Sequence, residues 1–192
     1  MSEQLHSPPP GTRINVVGST GSGKTTTGRA LAARLGLPFI EMDALFWQPN
    51  WGQTDDESFR AKVEAATRGD RWVIDGNYSR NRDIVWSRAD TLIWLDYSFG
   101  RTLWQLLRRT VRRSFTGEEL WHGNRETFAR SLLSPSSIIV WLLRTYWRRR
   151  RNYTTLLASS KVRHLAVIHL RSPEELAQWM GRLPSPDKGT GP

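Results

Sequence analysis

Short apolar runs, separated by longer stretches with helical spacing, divide the chain into alternating elements. Ile14 to Val17, Phe39 to Met42, Trp72 to Ile74, Thr91 to Leu95 and His164 to Leu170 read as five strands. Between them, Ala30, Leu31 and Leu35 mark one face of a helix from Thr25 to Leu35, which Gly36 ends. Thr54-Asp55-Asp56-Glu57 has the form of a capping box and leads into a second helix with Phe59, Val63 and Ala66 on its apolar face, up to Gly69. Leu103, Leu106, Leu107 and Val111 define a third over Phe99 to Arg113. Ser114 to Asn124 reads as a loop, with Asn124 as cap of a further helix and Pro135 as the start of one running through Trp141 towards Leu157. Ser172-Pro173-Glu174-Glu175 joins an N-cap, a proline at the first helical position and a capping glutamate, opening a last helix to about Gly181.

Strands alternating with helices predict a three-layer α/β/α sandwich around a mostly parallel sheet of about five strands. The Pro-, Gly- and Ser-rich ends, 1–12 and 184–192, lack periodicity and predict disordered tails around a domain over 13–183. In such sheets ligands gather at the carboxyl ends of the strands.

The residues at those ends carry the chemistry. Gly18-Ser19-Thr20-Gly21-Ser22-Gly23-Lys24-Thr25 fills G-x-x-x-x-G-K-[ST] between a strand and a helix. A triphosphate is a dense anion, and backbone stripped of side chains can wrap N–H groups around it. Lys24 then reaches the β- and γ-phosphates, the Thr25 hydroxyl holds Mg²⁺, Thr26 completes the loop, and the positive end of the helix faces the anion. ATP and Mg²⁺ are the implied cofactors. Asp75 ends an apolar strand in the manner of a Mg²⁺-organising carboxylate, the bland alternative being an Asp-Gly turn. Alternation along a strand sends Glu41 and Asp43 to one face; Asp43, nearer its end, is the candidate to orient or deprotonate an acceptor hydroxyl, against the alternative of a loop-initiating Asp. Trp47 and Trp51 follow, as an aromatic wall for a ligand or as core.

Composition narrows the partners. The chain has 192 residues, no cysteine and a formal charge of +10 supplied almost wholly by arginine. This excludes disulfide frameworks and thiolate metal sites, and favours anionic ligands unless arginine is simply the preferred surface cation. Its longest apolar run, Ile138 to Leu143, falls short of the roughly 20 residues of a membrane span. No signal-peptide core precedes the domain, so the expected setting is cytoplasmic.

On Gly18 to Thr25, Leu37 to Trp47, Trp72 to Tyr78 and Glu119 to Glu126, the chain resembles the P-loop nucleoside and nucleotide kinase group over Arg13 to Trp179. Within it, the chain is most similar to the bacterial family called topology modulation protein or adenylate-kinase-like. In shikimate-kinase-like and gluconate-kinase-like members an acid at the place of Asp43 contacts the acceptor, which the resemblance assigns to Asp43. Adenylate kinases follow the third strand with Asp-Gly-Phe-Pro-Arg, whereas this chain reads Asp75-Gly76-Asn77-Tyr78-Ser79-Arg80. The shifted arginine and missing proline argue against a nucleoside monophosphate acceptor, and leave Asn77, Arg80 and Arg82 as candidate contacts for another anion. The resemblance also implies a lid-like segment over about 99–134 whose arginines reach the transferring phosphoryl group. Arg108 and Arg112 match best, with Arg109 a close competitor.

The resulting expectation is an ATP- and Mg²⁺-dependent phosphotransferase acting on a small acceptor, as a monomer or homodimer. Two rivals remain at this stage: a nucleotide-regulated nucleic-acid binder using Arg148 to Arg151 beside Trp147 and Tyr153, and an ATP-binding scaffold without turnover. Those arginines read mainly as the outer face of a packed helix, so any DNA binding is expected to be weak.

Overall fold

The computed structural model describes residues 9–124 and 138–184. Five parallel strands, β1 (Arg13–Gly18), β2 (Phe39–Glu41), β3 (Trp72–Asp75), β4 (Thr91–Leu95) and β5 (Ala166–Leu170), form one sheet in the order β2-β3-β1-β4-β5. Because the sheet is covered on both faces, β1, β3 and β4 are apolar nearly throughout, as buried parallel strands must be. The helices are α1 (Lys24–Leu35), α2 (Met42–Phe46), α3 (Asp56–Ala66), α4 (Arg82–Arg88), α5 (Phe99–Thr116), α6 (Ile138–Leu157) and α7 (Pro173–Arg182).

Alternation along the strands sorts the core into two layers. Leu31, Ala32 and Trp179, from α1 and α7, pack on Ile14, Val16, Ile93 and Ile168. On the opposite face, Phe59, Val63, Val85, Trp86 and Tyr153, from α3, α4 and α6, pack on Val17, Ile74, Leu92 and Trp94. A smaller cluster of Leu106, Leu142 and Tyr146 joins α5 to α6. The predicted sandwich is therefore the observed one.

Several local expectations shift. The second strand stops at Glu41, and Met42 and Asp43 enter the short helix α2. Its position is tight: a Cβ on Gly76 would lie 2.7 Å from the Met42 sulfur. Asp55, not Thr54, caps α3, accepting from the Ser58 N–H at 2.8 Å, while the Thr54 hydroxyl turns back to the Leu45 carbonyl. Helix α4 had no counterpart in the pattern. Gly11 and Thr12, assigned to the N-terminal tail, are fastened to Thr91 and Asp90. Helix α5 runs to Thr116, three residues beyond the expected end at Arg113.

The helix expected to begin at Asn124 falls on 125–137, outside the described residues. The Asn124 side chain instead serves the loop after α2. It accepts from the Trp51 N–H at 2.7 Å and donates to the carbonyls of Gln48 and Trp121 at 2.9 and 2.8 Å. This holds Asn50 and Trp51 at φ 57° and 60°, left-handed conformations that side-chain-bearing residues adopt at a cost of about 1–2 kcal/mol each. Asn124→Ala is expected to lower unfolding free energy by about 1–3 kcal/mol in denaturant titration, since it removes the side-chain bonds to the part-buried Trp51 N–H and to the Gln48 and Trp121 carbonyls at once.

Candidate active site

The strand order reverses direction outside β1, with β3 on one side and β4 on the other, so a crevice opens at its carboxyl end. The glycine loop fills that crevice. Gly21 and Gly23 both sit at φ 87°, a region closed to most side chains, and a Cβ on Gly21 would come within 2.8 Å of both Leu106 Cβ and the Thr102 carbonyl of α5. Ser19 and Thr20 are half-buried, and Ser22 is buried with its hydroxyl unpartnered. Helix α1 starts after Gly23, an N-cap with no side-chain hydrogen bond, leaving its first N–H groups for an anion. Thr26 is exposed on that first turn.

Lys24 bends across the loop and donates to the Ser19 carbonyl at 3.0 Å. Burial pulls its pKa down to about 8; Asp75 and Asp43 oppose that shift, and Arg149 and Arg109 add to it. These residues therefore share one electrostatic neighbourhood.

The Thr25 hydroxyl donates to Asp75 Oδ2 at 2.5 Å. Burial raises the Asp75 carboxyl to about 6, against the bond from Thr25 and the charge of Lys24, with Glu41 and Asp43 pushing the same way as burial. Among the described residues no three carboxylate, imidazole or thiol groups converge to cage a metal. One hydroxyl, one buried carboxylate and an adjoining phosphate loop are instead the hard-oxygen set that suits Mg²⁺, which keeps waters and takes the rest of its ligands from phosphate. The residues fit the group.

Asp43 lies in the first turn of α2 and does not share a face with Glu41. The Glu41 carboxylate pairs with Arg29 at 2.6 Å, because the strand ends before alternation can act. Asp43 Oδ1 accepts from the Tyr78 hydroxyl at 2.5 Å; Oδ2 carries no hydrogen bond among the described residues. Burial, then Asp43, drives the Tyr78 phenol far above its ordinary pKa, so it stays a donor. Tyr78 packs between Phe46 and Phe59, ring centroids 5.0 and 4.9 Å away.

The other predicted contacts divide. Asn77 is turned onto Gly18, pairing with both its N–H and its carbonyl, and takes a third bond from the Tyr153 hydroxyl. Its side chain thus supports the loop. Arg80 is exposed, paired with Asp56 and stacked over Phe46, away from the crevice. Arg82 lies over Trp86 and Tyr153. Trp47 is half-buried, edge-on to Phe46 and Trp51 at 5.0 and 5.3 Å, and is chiefly packing.

The arginines divide as well. Helix α5 turns Thr102, Leu106 and Thr110 inward, which leaves Arg108 exposed and sends Arg112 to a surface pair with Glu118 at 3.0 Å. The guanidiniums that act on Lys24 are those of Arg109 and Arg149. Val111, expected on the apolar face, is exposed for the same reason. In α6 the run Arg148 to Arg151 is split: Arg149 faces inward with Leu142, Tyr146 and Tyr153, Arg150 pairs with Asp96 at 3.0 Å, and Arg148 and Arg151 are exposed. A helix with inward and outward arginines in consecutive positions is not a strip for tracking nucleic-acid phosphates.

Sequence reasoning gave Tyr78 no role, and it placed Arg149 only within the Arg148 to Arg151 run, as a nucleic-acid contact or as the outer face of a helix. The spacing Arg149, Tyr153 on the inner face of α6 was the available signal.

A parallel sheet with this order, a glycine loop running into an uncapped helix and a Thr–Asp pair beneath it define a P-loop kinase by class. A family model for shikimate kinase matches residues 20–166, and the chain belongs to the shikimate kinase family. It is 37% identical over 100 residues to a shikimate kinase of Symbiobacterium thermophilum, covering 43% of this chain and 56% of that one. A Synechococcus sp. (strain CC9902) shikimate kinase is 47% identical over 118 residues, covering 54% of this chain and 61% of the relative. The chain thus spans somewhat over half the length of these curated relatives. Among solved structures, Acinetobacter baumannii shikimate kinase in complex with shikimate superposes with a TM-score of 0.53 at 19% identity, over 87% of this chain and 88% of that one, a likeness of fold. The narrower resemblance to topology modulation proteins gives way to this family. Among the described residues, no helix is long and apolar enough to cross a membrane.

Proposed function

We propose that this chain transfers the γ-phosphoryl group of ATP to a hydroxyl of a small hydroxylated carboxylic acid, with shikimate as the first acceptor to test. The observation that carries the reading is Arg149. It is half-buried, makes a cation–π contact with Trp141 and has no carboxylate partner among the described residues. Burial lowers its pKa, and Tyr78 and Arg82 are among the groups it senses, so it stands beside the Asp43 corner of the crevice. A desolvated guanidinium wants a planar anion, and an acceptor carboxylate supplies one.

In this reading Asp43 Oδ2 accepts the proton of the attacking hydroxyl, and Arg149 holds the acceptor carboxylate so that the hydroxyl points at the γ-phosphorus. Lys24 leaves the Ser19 carbonyl for the β- and γ-phosphates, and Arg109 offsets charge on the equatorial oxygens. Thr25 and Asp75 would hold Mg²⁺, which would supply charge neutralisation of the phosphates.

The test is ADP formation with shikimate, gluconate, nucleosides and nucleoside monophosphates in turn. Stimulation is expected with the hydroxy acids; stimulation by nucleosides alone would overturn the reading. Arg149→Met is expected to lower kcat/KM for the acid on the order of 10²-fold, through the acceptor KM, while the KM for ATP changes little. A rise confined to the KM for ATP would move Arg149 to the phosphates.

A further inference from the structure

Strands β1 and β3 pair in register to Val16 and Asp75, and the Gly76 N–H adds one more bond to the Val16 carbonyl. Beyond that the backbones part. Asn77 then continues the ladder with its side chain, presenting its amide oxygen to the Gly18 N–H at 3.1 Å and its amide nitrogen to the Gly18 carbonyl. Gly18 is the first residue of the phosphate loop. The next residue, Tyr78, bonds the carboxylate of Asp43. Two consecutive side chains therefore grip the two halves of the crevice, one the phosphate loop and the other the acid beside it.

We propose that Asn77 and Tyr78 act together as a positioning device that fixes the Asp43 carboxylate relative to the phosphate loop, with Tyr78 holding Oδ1 so that Oδ2 alone meets the acceptor hydroxyl. The role of Asp43 as acceptor contact rests on the proposed function; the mechanical link does not.

The surroundings suit such a device. The Tyr78 ring is clamped by Phe46 and Phe59, which leaves its hydroxyl little freedom. Asn77 is held from behind by the Tyr153 hydroxyl at 3.1 Å, and Tyr153 is itself buried against Trp94, centroids 5.8 Å apart. A carboxylate with one oxygen fixed loses the rotation that would otherwise spread it over several poses. Near-attack geometry is sensitive to such spread, and a misplacement of about 1 Å can cost about 10²-fold in rate. Neither residue touches a reacting atom.

Two measurements on the full chain separate this link from the kinase reading. The first is a thermal-unfolding double-mutant cycle with Tyr78→Phe, Asp43→Ala and both together, without ligand. The double variant is expected to unfold no lower than the worse single variant, because each single change already breaks the same bond. Strict additivity would overturn the link whatever the activity. The second is steady-state kinetics with the best acceptor. Tyr78→Phe keeps the ring packing and removes only the hydroxyl, so kcat is expected to fall by about ten- to a hundredfold, with the KM for ATP within about twofold. Asn77→Ala is expected to raise the KM for ATP as well, since it also frees Gly18. An unchanged kcat in Tyr78→Phe would overturn the positioning role. If the unaltered protein turns over no acceptor, the proposed function falls, and the unfolding cycle alone decides whether the link exists.

Discussion

Lys24→Ala is expected to lose about 10²–10³-fold in kcat/KM for ATP while folding as before. Electrostatic stabilisation dominates phosphoryl transfer, and Lys24 is the loop's point charge for the β- and γ-oxygens. Without nucleotide the Lys24 ammonium hydrogen-bonds the Ser19 carbonyl alone among the described residues, and burial, opposed by Asp75 and Asp43, holds its pKa near 8, so its removal relieves a desolvation cost. The melting temperature of the ligand-free variant should therefore equal or exceed that of the parent. Calorimetry with Mg·ATP checks the first half and a thermal scan the second. A folded variant that binds Mg·ATP undiminished would remove the phosphate loop from the account.

Asp43→Asn should act on the other half of the reaction. General-base assistance contributes about 10²–10⁴-fold, and asparagine preserves the shape and the bond from Tyr78 but cannot take the proton. Acceptor-stimulated turnover is expected to fall by that range, whereas the affinity for ATP should stay close to that of the parent because the phosphates contact the loop and α1. Single-turnover kinetics distinguishes the two steps. Retained stimulation would make Asp43 a structural residue of α2.

The sequence showed most of what is local. A strand, glycine loop and helix in succession can be read from Ile14 to Leu35 because each carries its own pattern, and Asp75 follows from where an apolar strand stops. Helix α4 escaped detection: Ile84, Val85 and Trp86 are consecutive apolar residues inside seven, which reads as no helical face at all. Rotation of long helices was equally hidden. Helices α5 and α6 place arginines around much of their circumference, so propensity and periodicity leave open which ones point inward. Packing decides it: Gly21 pressed against Thr102 and Leu106 turns Arg109 inward and Arg112 out. The bond from Tyr78 to Asp43 joins residues 35 positions apart, and no spacing rule links them.

The lack of clearance between Gly21 and α5 has a mechanical consequence. A phosphate loop with slack around it could change shape about a triphosphate while its neighbours stood still. Here the Thr102 carbonyl and Leu106 already lie where even one added carbon at Gly21 would touch them. Any expansion of the loop must be taken up by tilting an 18-residue rod that bears near one end, and small displacements at such a fulcrum grow along its length. Filling of the nucleotide seat would thus be felt most strongly at the far end of α5, around Thr116, where the chain passes into 117–124 and the Asn124 fastening of the loop after α2.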